Sequence, residues 1–452
     1  MKLPRIMLAA PASGSGKTLI TCGILQALKN RGMELAAFKC GPDYIDPMFH
    51  GRILGISSKN LDTYFTGEEM TRYLFEREAS QKDFSILEGV MGYYDGLAGI
   101  SLKASAYDVA RITKTPVVLV VNAKGMSNSV TALIQGFLQF QQDSRIAGVI
   151  LNQVSEGLFH RMKEQIEDRL SVKVLGYVPA VEEYVIESRH LGLVTPDEIE
   201  NLQEKLESLA KLLESTIDLD SLLALGNEAE ELQAEEPVLP DYKAENIRIG
   251  VAKDEAFCFF YRDNLELLEH FGAEITYFSP IHDKKLPENL SGLIFYGGYP
   301  ELYAKALSEN QEMILEIKKS IAGGTPYLAE CGGFMYLHQW MEDMEGTAYP
   351  MVGIIQGTAY HTSRLGRFGY IELESNKPVL TGKEGILCRG HEFHYFDSSN
   401  NGEDFTARKP LSERNWKCIH GNRQCIAGFP HFYYYSNPEL VVEFLKSCEK
   451  EH

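Results

Sequence analysis

The sequence contains neither paired cysteines nor a long apolar run. Its 8 cysteines are scattered over 452 residues without a CxxC pair. Disulfide frameworks and zinc knuckles depend on such spacings, so neither is indicated. A membrane-spanning helix needs roughly 20 consecutive apolar residues, and no segment approaches that length. The short apolar run 6–10 leads into a glycine-rich loop and does not resemble a secretory signal. We therefore expect a reduced, cytoplasmic protein that does not insert into membranes.

Positive charge is also scarce. The chain has 44 Lys and Arg against 63 Asp and Glu, which gives a formal net charge of −19. Because an acidic surface repels polyanions, this balance argues against general binding to nucleic acid or to anionic membranes. An anionic small ligand stays compatible with the sequence, provided that a few cations gather locally.

The length favours two domains, and the first half alternates strand and helix patterns as a parallel sheet with crossover helices would. The predicted strands there span residues 5–10, 35–40, 84–88, 116–121, 147–151 and 173–178. The predicted helices include 18–31 and 127–142, and an amphipathic helix followed by a shorter one within 197–225.

An acidic, proline-containing segment then interrupts the pattern, with five Glu between residues 228 and 236. Its composition is that of a solvated connector. A second alternating pattern follows, with predicted strands 248–253, 274–278, 292–296 and 326–329 and helices near 261–271 and 306–322. We predict an α/β protein with an N-terminal domain 1–226, a linker 227–244 and a C-terminal domain 245–452.

The first motif is a phosphate loop. Residues 7–18 read MLAAPASGSGKT, so a strand leads into small residues and a helix opens at Gly16-Lys17-Thr18. Backbone amides of such a loop and the helix N-terminus attract phosphate oxygens. Lys17 can neutralise phosphates, and the Thr18 hydroxyl can bind Mg²⁺. The strict pattern GxxxxGK[ST] fails at Pro11, and the alternative is a plain glycine-rich turn. The flanking strand and helix favour nucleotide binding.

A carboxylate ends the neighbouring apolar strand. Glu88 follows residues 84–87 and precedes Gly89, Gly92 and Asp95. In parallel sheets, the carboxyl end of an adjacent strand is where a second Mg²⁺ ligand belongs. Many strands end in an acid, so this signal gains its weight from the phosphate loop beside it.

The second half contains a candidate thiol nucleophile. An apolar strand stops before Cys331, and Gly332 and Gly333 precede a helix. This geometry exposes a nucleophile, while helix-start amides lower its pKa and stabilise an oxyanion. An upstream glycine pair, Gly297-Gly298, offers further amides, and His431 could act as the distant base.

A lone Cys before two glycines is more often a buried residue at a turn, but the strand, elbow, glycine loop and late His together favour the nucleophile. Four other cysteines lack this context and are interpreted as structural: Cys258, Cys388, Cys418 and Cys425. His391 and His394 have no third ligand that could complete a zinc site with them.

Several longer motifs resemble those of one family. In chain order they are APASGSGKT, KCGPDYIDP, LEGVMGYYDG, ESRHLGLVTPDE, GGYPEL, AECGGFMYL and RGHEFHY, and they extend from the phosphate loop to residue 395. Several are far more specific than a generic phosphate loop. Together they resemble the cobyrinic acid a,c-diamide synthases, which hydrolyse glutamine.

The resemblance implies a dethiobiotin-synthetase-like ATP domain joined to a class I glutamine amidotransferase domain. In that family ATP and Mg²⁺ activate the a- and c-side carboxylates of a corrinoid precursor, and ammonia from glutamine attacks each acyl phosphate during cobalamin biosynthesis. The implied partners are the small molecules cobyrinic acid, L-glutamine and ATP. A homodimer is the assembly that we leave open.

The same resemblance implies roles for individual residues. The nucleotide would be held by Ser13, Gly14, Ser15, Gly16, Lys17 and Thr18, with Asn152 at the adenine. Mg²⁺ would be held by Thr18, Glu88 and Asp43. The substrate would face Lys39, Asp43, Tyr44, Asp46 and Asp95, with Arg52 and Arg189 as further cations. Cys331 and His431 would be catalytic, with an oxyanion hole at Gly298 and Gly332.

Three departures from the family pattern matter. Near the C-terminus the family resembles SYxHxHF, whereas this chain keeps His431 and has Tyr433 in place of the second His. Asn122 stands where the family usually has Asp, so a charged role there is in doubt. Ordinary class I amidotransferases place a Glu two residues after the base, and Tyr433 stands there in this chain. We therefore expect a Cys–His dyad rather than a full triad, with Tyr433 neither acid nor base.

Two rival interpretations stay open. The first is a sister amidase acting on another tetrapyrrole, such as hydrogenobyrinate or nickel sirohydrochlorin, or catalysing the later cobyric acid step. The second is a P-loop regulatory or partitioning ATPase, which would have no use for Cys331 or His431.

Overall fold

The fold is described from a computed structural model that covers residues 1–180, 188–189, 192–193, 201–382 and 384–449. These residues form two compact units, Met1–Pro237 and Val238–His452. Most of the motif at 187–198 and the side chains of Arg52 and Arg189 lie outside the described residues. Within the described part of the chain, every helix is too short or too polar to cross a bilayer.

A seven-stranded parallel sheet forms the centre of the first unit, with strand order β3-β2-β4-β1-β5-β6-β7. Its strands are β1 (Arg5–Ala9), β2 (Leu35–Cys40), β3 (Ser57–Leu61), β4 (Phe84–Glu88), β5 (Val117–Asn122), β6 (Ile146–Asn152) and β7 (Lys173–Val178). A two-stranded pair, β8 (Ser188–Arg189) and β9 (Gly192–Leu193), lies apart from this sheet.

Helices connect these strands, as parallel pairing requires. They are α1 (Lys17–Asn30), α2 (Ile45–Met48), α3 (Thr63–Ala79), α4 (Ala106–Ile112), α5 (Ser129–Phe140), α6 (Glu156–Arg169), α7 (Leu202–Thr216) and α8 (Leu219–Asn227), with a π-helical turn Phe49–Ile53. After β1 the chain runs to β2 and β3 on one side of β1, and after β4 it crosses to β5, β6 and β7 on the other side. The loop after β1 therefore faces a crevice at the carboxyl edge of the sheet.

Most predicted elements of this unit are present, and β2, β4 and β7 have the predicted bounds. Strand β3 was not among the predicted strands, because its sequence SSKNL is polar although it is mostly buried. Tertiary contacts satisfy its buried polar side chains. Lys59 pairs with Glu78 at 3.0 Å, and the Asn60 amide donates to the carbonyl of Gly41 at 2.9 Å.

The acidic segment after α8 runs along the first unit. Leu232 is buried, and its carbonyl accepts from the amino group of Met1 at 2.6 Å. The carbonyl of Glu230 accepts from the buried Arg5 guanidinium at 2.8 Å. Val238, at the start of the second unit, is fully exposed.

The second unit is built on a six-stranded sheet with the order β11-β10-β12-β13-β23-β22, parallel except for the last pair. Its strands are β10 (Arg248–Ala252), β11 (Glu274–Phe278), β12 (Gly292–Phe295), β13 (Tyr327–Glu330), β22 (His420–Gly421) and β23 (Cys425–Gly428). The helices are α9 (Arg262–His270), α10 (Ala304–Glu309), α11 (Gln311–Ala322), α12 (Gly332–Tyr336) and α13 (Pro438–Cys448).

Two further sheets, which the sequence analysis did not predict, follow α12. One contains β14 (His338–Glu342), β15 (Ala348–Pro350), β16 (Ile355–His361) and β19 (Phe396–Ser398); the other contains β17 (Arg367–Ser375), β18 (Leu387–His394), β20 (Phe405–Arg408), β21 (Asn415–Cys418) and β24 (His431–Phe432). Long-range pairing of β18 with β24 brings His391 opposite His431. Pairing of β13 with β23 sets Gly428 opposite Glu330, so the two long-range pairings together place His431 beside the elbow.

The predicted helix 306–322 is divided at Asn310 into α10 and α11. The Asn310 side-chain amide donates to the carbonyls of Pro280 and Asp283, each at 2.8 Å. These contacts hold its backbone at φ −82° and ψ 63°, outside the helical region. Tertiary hydrogen bonds of the Asn310 side chain thus interrupt a helix that the local sequence pattern predicts.

Candidate functional site

The phosphate loop joins β1 to α1 at the carboxyl edge of the first sheet. Gly16 has φ 85°, and an added Cβ would lie 2.5 Å from Nδ2 of Asn152. That amide donates to the carbonyl of Ser15 at 2.9 Å. Asn152, predicted to contact adenine, is therefore beside the loop.

An open cleft of about 460 Å³ adjoins the loop, lined by Pro11, Ala12, Ser13, Gly14, Ser15, Asn122, Lys124 and Leu133. Asn122 accepts a hydrogen bond from the Lys124 amide at 3.1 Å. Asn122, which stands where the family usually has Asp, therefore caps a turn beside the cleft.

Behind the loop, charged side chains gather in a buried cluster. The Thr18 hydroxyl is 2.6 Å from Oε1 of Glu88 and 3.2 Å from Oδ2 of Asp46. Lys39 donates to the same Oε1 at 3.0 Å and forms a close ion pair with Asp46. Lys17 donates to the Met91 carbonyl at 2.7 Å. The structure thus unites residues from three separate sequence motifs.

Burial and neighbouring charges set the protonation of this cluster. Burial alone would raise the pKa of Glu88, but Lys39, with hydrogen bonds from His50 and Thr18, holds it well below its ordinary range. Burial and the neighbouring carboxylates raise the pKa of Asp46. Burial, reinforced by Lys39, lowers the pKa of Lys17 to about 8. Glu88 is therefore the carboxylate that stays ionised deep in the cluster.

The remaining predicted substrate residues lie on the loops around this cluster. Oδ1 of Asp43 accepts from the amides of Ile45 and Asp46 at 2.9 and 3.2 Å, which organises the start of α2. Tyr44 immediately precedes that helix and is partly exposed. Oδ2 of Asp95 accepts from the Gly92 amide at 2.9 Å. Asp43 and Asp95 therefore shape their own loops.

The oxygens in this cluster fit a hard divalent cation. Thr18 offers a hydroxyl oxygen and Glu88 a carboxylate oxygen, and Mg²⁺ prefers oxygen ligands. Among the described residues, no group of three or more His, Cys, Asp or Glu side chains could hold a metal ion by itself. Such a site matches Mg²⁺ that takes its other ligands from phosphates and water.

Sequence reasoning missed one member of this cluster, His50. Its ring is fully buried, with Nε2 3.3 Å from Oε2 of Glu88 and Nδ1 3.1 Å from Oγ of Ser58. A signal was available, because His50 lies four residues after Asp46 of the DYIDP motif. Nothing local, however, indicated that it would face β4.

In the second unit, Cys331 occupies the predicted elbow between β13 and α12. Its backbone has φ 46° and ψ −107°, which is strained for a residue with a Cβ. Its amide donates to the carbonyl of Gly428 at 2.9 Å. Pairing of β13 with β23 therefore holds the elbow in place.

Two glycines adjoin Cys331, the predicted nucleophile. A Cβ added to Gly332 would lie 2.8 Å from Cδ of Pro300 and 3.2 Å from the backbone nitrogen of Gly298. The two amides predicted to form the oxyanion hole thus belong to neighbouring backbone segments. This geometry is compatible with their joint use.

The predicted base also reaches the elbow. A Cβ on Gly297 would lie 2.5 Å from Cε1 of His431 and 3.5 Å from Cβ of Cys331, so both side chains border the same glycine. His391 stacks on His431 with ring centroids 4.9 Å apart. His391 thereby contacts the base, and His394 stacks on Phe429 at 4.1 Å.

The thiol and imidazole are neutral in the free protein. Burial raises the pKa of Cys331 far above its ordinary value and outweighs the lowering by the Gly332 amide. Burial, then His391 and His394, lowers the pKa of His431 well below its ordinary value. The expectation of a lowered thiol pKa is therefore wrong for the free protein, because desolvation exceeds the effect of the helix-start amide.

Tyr433 points into a different network. Its hydroxyl donates to Oδ2 of Asp263 at 2.9 Å, and the ring is buried. A carboxyl group that was not predicted lies beside the candidate base, since Oε2 of Glu330 lies 3.7 Å from Nδ1 of His431. Glu330 directly precedes Cys331, so its place in the chain was its only signal.

The other cysteines show no comparable setting. All 8 are free thiols, and Cys388, Cys418 and Cys425 are buried while Cys258 is partly exposed.

Comparison with known proteins matches both units. Residues 6–193 match the family model of the CobQ/CobB/MinD/ParA nucleotide binding domain. Residues 248–438 match that of the CobB/CobQ-like glutamine amidotransferase domain. The predicted fold class, a P-loop parallel-sheet domain followed by a glutamine amidotransferase-like α/β domain, is thereby confirmed.

Full-length relatives extend this result. The chain is 42% identical over 446 residues to a protein named cobyrinate a,c-diamide synthase from Caldanaerobacter subterraneus subsp. tengcongensis, covering 98% of each chain. It is also 42% identical over 449 residues to the protein of the same name from Clostridium acetobutylicum, covering 98% of each. For the Listeria innocua protein the identity is 40% over 445 residues, covering 97% of this chain and 98% of that one.

Proposed function

The chain belongs to the cobyrinate a,c-diamide synthase family, and from this premise we propose that it amidates the a- and c-side carboxylates of cobyrinic acid in cobalamin biosynthesis. ATP supplies the activation and glutamine supplies the nitrogen. The observation that carries the proposal is the presence, in one chain, of a phosphate loop ringed by carboxylates and a Cys elbow bordered by His431.

The first half-reaction activates a carboxylate. A side-chain carboxylate oxygen of the substrate attacks the γ-phosphorus of ATP, the bond to the β,γ-bridging oxygen breaks, and an acyl phosphate and ADP result. Lys17 and the loop amides neutralise the transferred phosphoryl group. Lys39, which pairs with Asp46 and Glu88, is the cation that we assign to a substrate carboxylate or phosphate.

Mg²⁺, when bound, would offset negative charge on the β- and γ-phosphates, and Thr18 and Glu88 are the residues that would hold it. Asp43 is a further candidate on the adjacent loop. Burial of Glu88 keeps its carboxylate in one place before the nucleotide arrives.

The second half-reaction releases ammonia. His431 accepts the Cys331 proton as sulfur attacks the amide carbon of glutamine, and the amides at Gly298 and Gly332 stabilise the oxyanion. The proton passes to the leaving nitrogen as ammonia departs. Water then hydrolyses the thioester to glutamate, and ammonia displaces phosphate from the acyl phosphate to form the amide.

Product analysis tests the proposal. Purified protein is incubated with cobyrinic acid, ATP, Mg²⁺ and glutamine labelled with ¹⁵N at the amide, and the products are followed by mass spectrometry. A diamide containing two labelled nitrogens, formed through a monoamide, is the expected result. Parallel reactions with hydrogenobyrinate, nickel sirohydrochlorin and the a,c-diamide identify a sister enzyme if one of these is amidated instead.

The proposal also covers the location, the partners and the assembly of the enzyme. We place it in the cytoplasm, acting on small molecules rather than on nucleic acid or membranes, and a homodimer is the assembly to test by sedimentation. The acidic composition supports small molecules as partners, because a net charge of −19 disfavours nucleic acid and anionic membranes.

A further inference from the structure

One buried imidazole in the first unit has no part in the mechanism above. His50 lies on the π-helical turn that follows α2, and its side chain is fully buried. Short π-helical turns often occur at functional sites. Its two ring nitrogens face side chains from different strands, Ser58 on β3 and Glu88 at the end of β4.

Glu88 divides its two oxygens between different neighbours. Oε1 accepts from the Thr18 hydroxyl at 2.6 Å and from Lys39 at 3.0 Å. Oε2 faces Nε2 of His50 at 3.3 Å. Within the described part of the chain, both atoms are buried and neither completes a hydrogen bond, so the 3.3 Å contact with each other is the polar contact that they have. Two polar atoms buried together without other partners depend on each other, because leaving either one alone is costly.

Ser58 can settle which nitrogen of His50 carries the proton. A serine hydroxyl rotates freely and can donate to Nδ1, which leaves Nε2–H directed at Glu88. The contact at 3.1 Å is consistent with this arrangement. The imidazole then joins β3 to the carboxylate at the end of β4.

We propose that His50 is a positioning residue for Glu88, the carboxylate that would hold Mg²⁺. By holding Oε2 of Glu88, it keeps Oε1 turned toward Thr18, where the proposed function places Mg²⁺ and the phosphates of ATP. Partners behind a metal ligand characteristically orient it in this way. The inference rests on the proposed function, because it needs a nucleotide and a metal at this site.

The test measures how much Mg²⁺ tightens nucleotide binding. The full chain is titrated with a non-hydrolysable ATP analogue, once with saturating Mg²⁺ and once with EDTA, and the ratio of the two dissociation constants gives the coupling. His50→Leu should reduce this ratio by about tenfold, in line with the roughly 10- to 100-fold losses typical of such partners. The dissociation constant in EDTA should stay within about twofold of wild type.

Three variants accompany it. His50→Gln keeps a side-chain donor and should recover part of the coupling, while Ser58→Ala should lower it by a few-fold only. His160→Leu, an exposed histidine on α6 of the same unit, is the matched control and should leave the ratio unchanged.

An unchanged ratio in His50→Leu overturns the inference. So does a parallel weakening of both dissociation constants, with a lower melting temperature, since that pattern belongs to packing alone. Wild-type protein that forms the diamide while His50→Leu keeps its coupling refutes only the role of His50. Wild-type protein that binds no nucleotide at all refutes the proposed function as well.

Discussion

Burial has different consequences for the charge of the key side chains in the two candidate sites. In the first unit, Lys39 is charged although it is almost fully buried, and its pKa is raised by Asp46, Glu88 and Asp43 against the effect of burial. In the second unit, burial prevails, and the Cys331 thiol stays protonated. One site thus keeps permanent charges and the other stays neutral at rest.

The difference follows from what each site must stabilise. Phosphoryl transfer spreads negative charge over several oxygens, so fixed cations and a cation-binding carboxylate are useful before the substrate arrives. Thiol attack needs charge only transiently. A neutral, buried thiol and imidazole are therefore compatible with a nucleophile that is activated when glutamine enters the site.

The largest effect should come from Lys17→Ala, which attacks the charged site directly. We expect loss of amidation with either glutamine or ammonium salts, because neither nitrogen source attacks an unactivated carboxylate. Losing one charge-assisted phosphate contact corresponds to about a hundredfold or more in rate. ATP turnover measured with cobyrinic acid checks this, and wild-type-like turnover would contradict the phosphate-loop assignment.

Cys331→Ala sharpens the comparison from the other side. It should abolish glutamine-dependent amidation yet keep amidation by ammonium salts, because the charged cluster of the first unit is untouched. Product formation with each nitrogen source is the measurement. Loss of both activities in a folded variant would show that Cys331 does more than release nitrogen.

A smaller contrast is expected between the base and its aromatic neighbour. His431→Ala should lose most glutaminase activity, whereas Tyr433→Phe should stay within about an order of magnitude of wild type, because the Tyr433 hydroxyl donates to Asp263. Glutamate release is the assay. Equal losses in the two variants would mean that the hydroxyl supports the base.

The last prediction concerns the pH dependence of the thiol. Burial raises the pKa of Cys331 above the ordinary value of 9.0, so its thiolate fraction keeps growing as pH rises through that value. Alkylation of Cys331 by iodoacetamide in the free protein should therefore increase about tenfold per pH unit from 7 to 9 without levelling off. Peptide mass spectrometry separates this site from the partly exposed Cys258, and a plateau near pH 7 would contradict a neutral resting thiol.

Much of the first site could be predicted because its signals are local. Each of its motifs indicates its chemistry within a few consecutive residues: the loop 13–18, the strand end at Glu88 and the DYIDP motif. Parallel strands then place their carboxyl ends at one edge, so proximity follows from fold class. The role of His50 was not predicted, because the sequence around an isolated histidine does not indicate which carboxylate it will contact.

The second site depended more on long-range structure. A strand followed by two glycines indicated the elbow at Cys331, and His431 was a candidate base about 100 residues downstream. Its approach to the elbow is set by pairing of β13 with β23 and of β18 with β24, which also brings His431 near Glu330.

Local sequence alone therefore determined the alternating strands and helices, the glycine-rich loop and the choice of Cys331 as the candidate nucleophile, since each depends on spacing along the chain. Tertiary structure decided the polar strand β3, the break at Asn310 and the resting pKa of Cys331. The physical reason is common to all three. Hydrogen-bond partners supplied from distant segments, and burial by them, outweigh the preferences of the residues themselves.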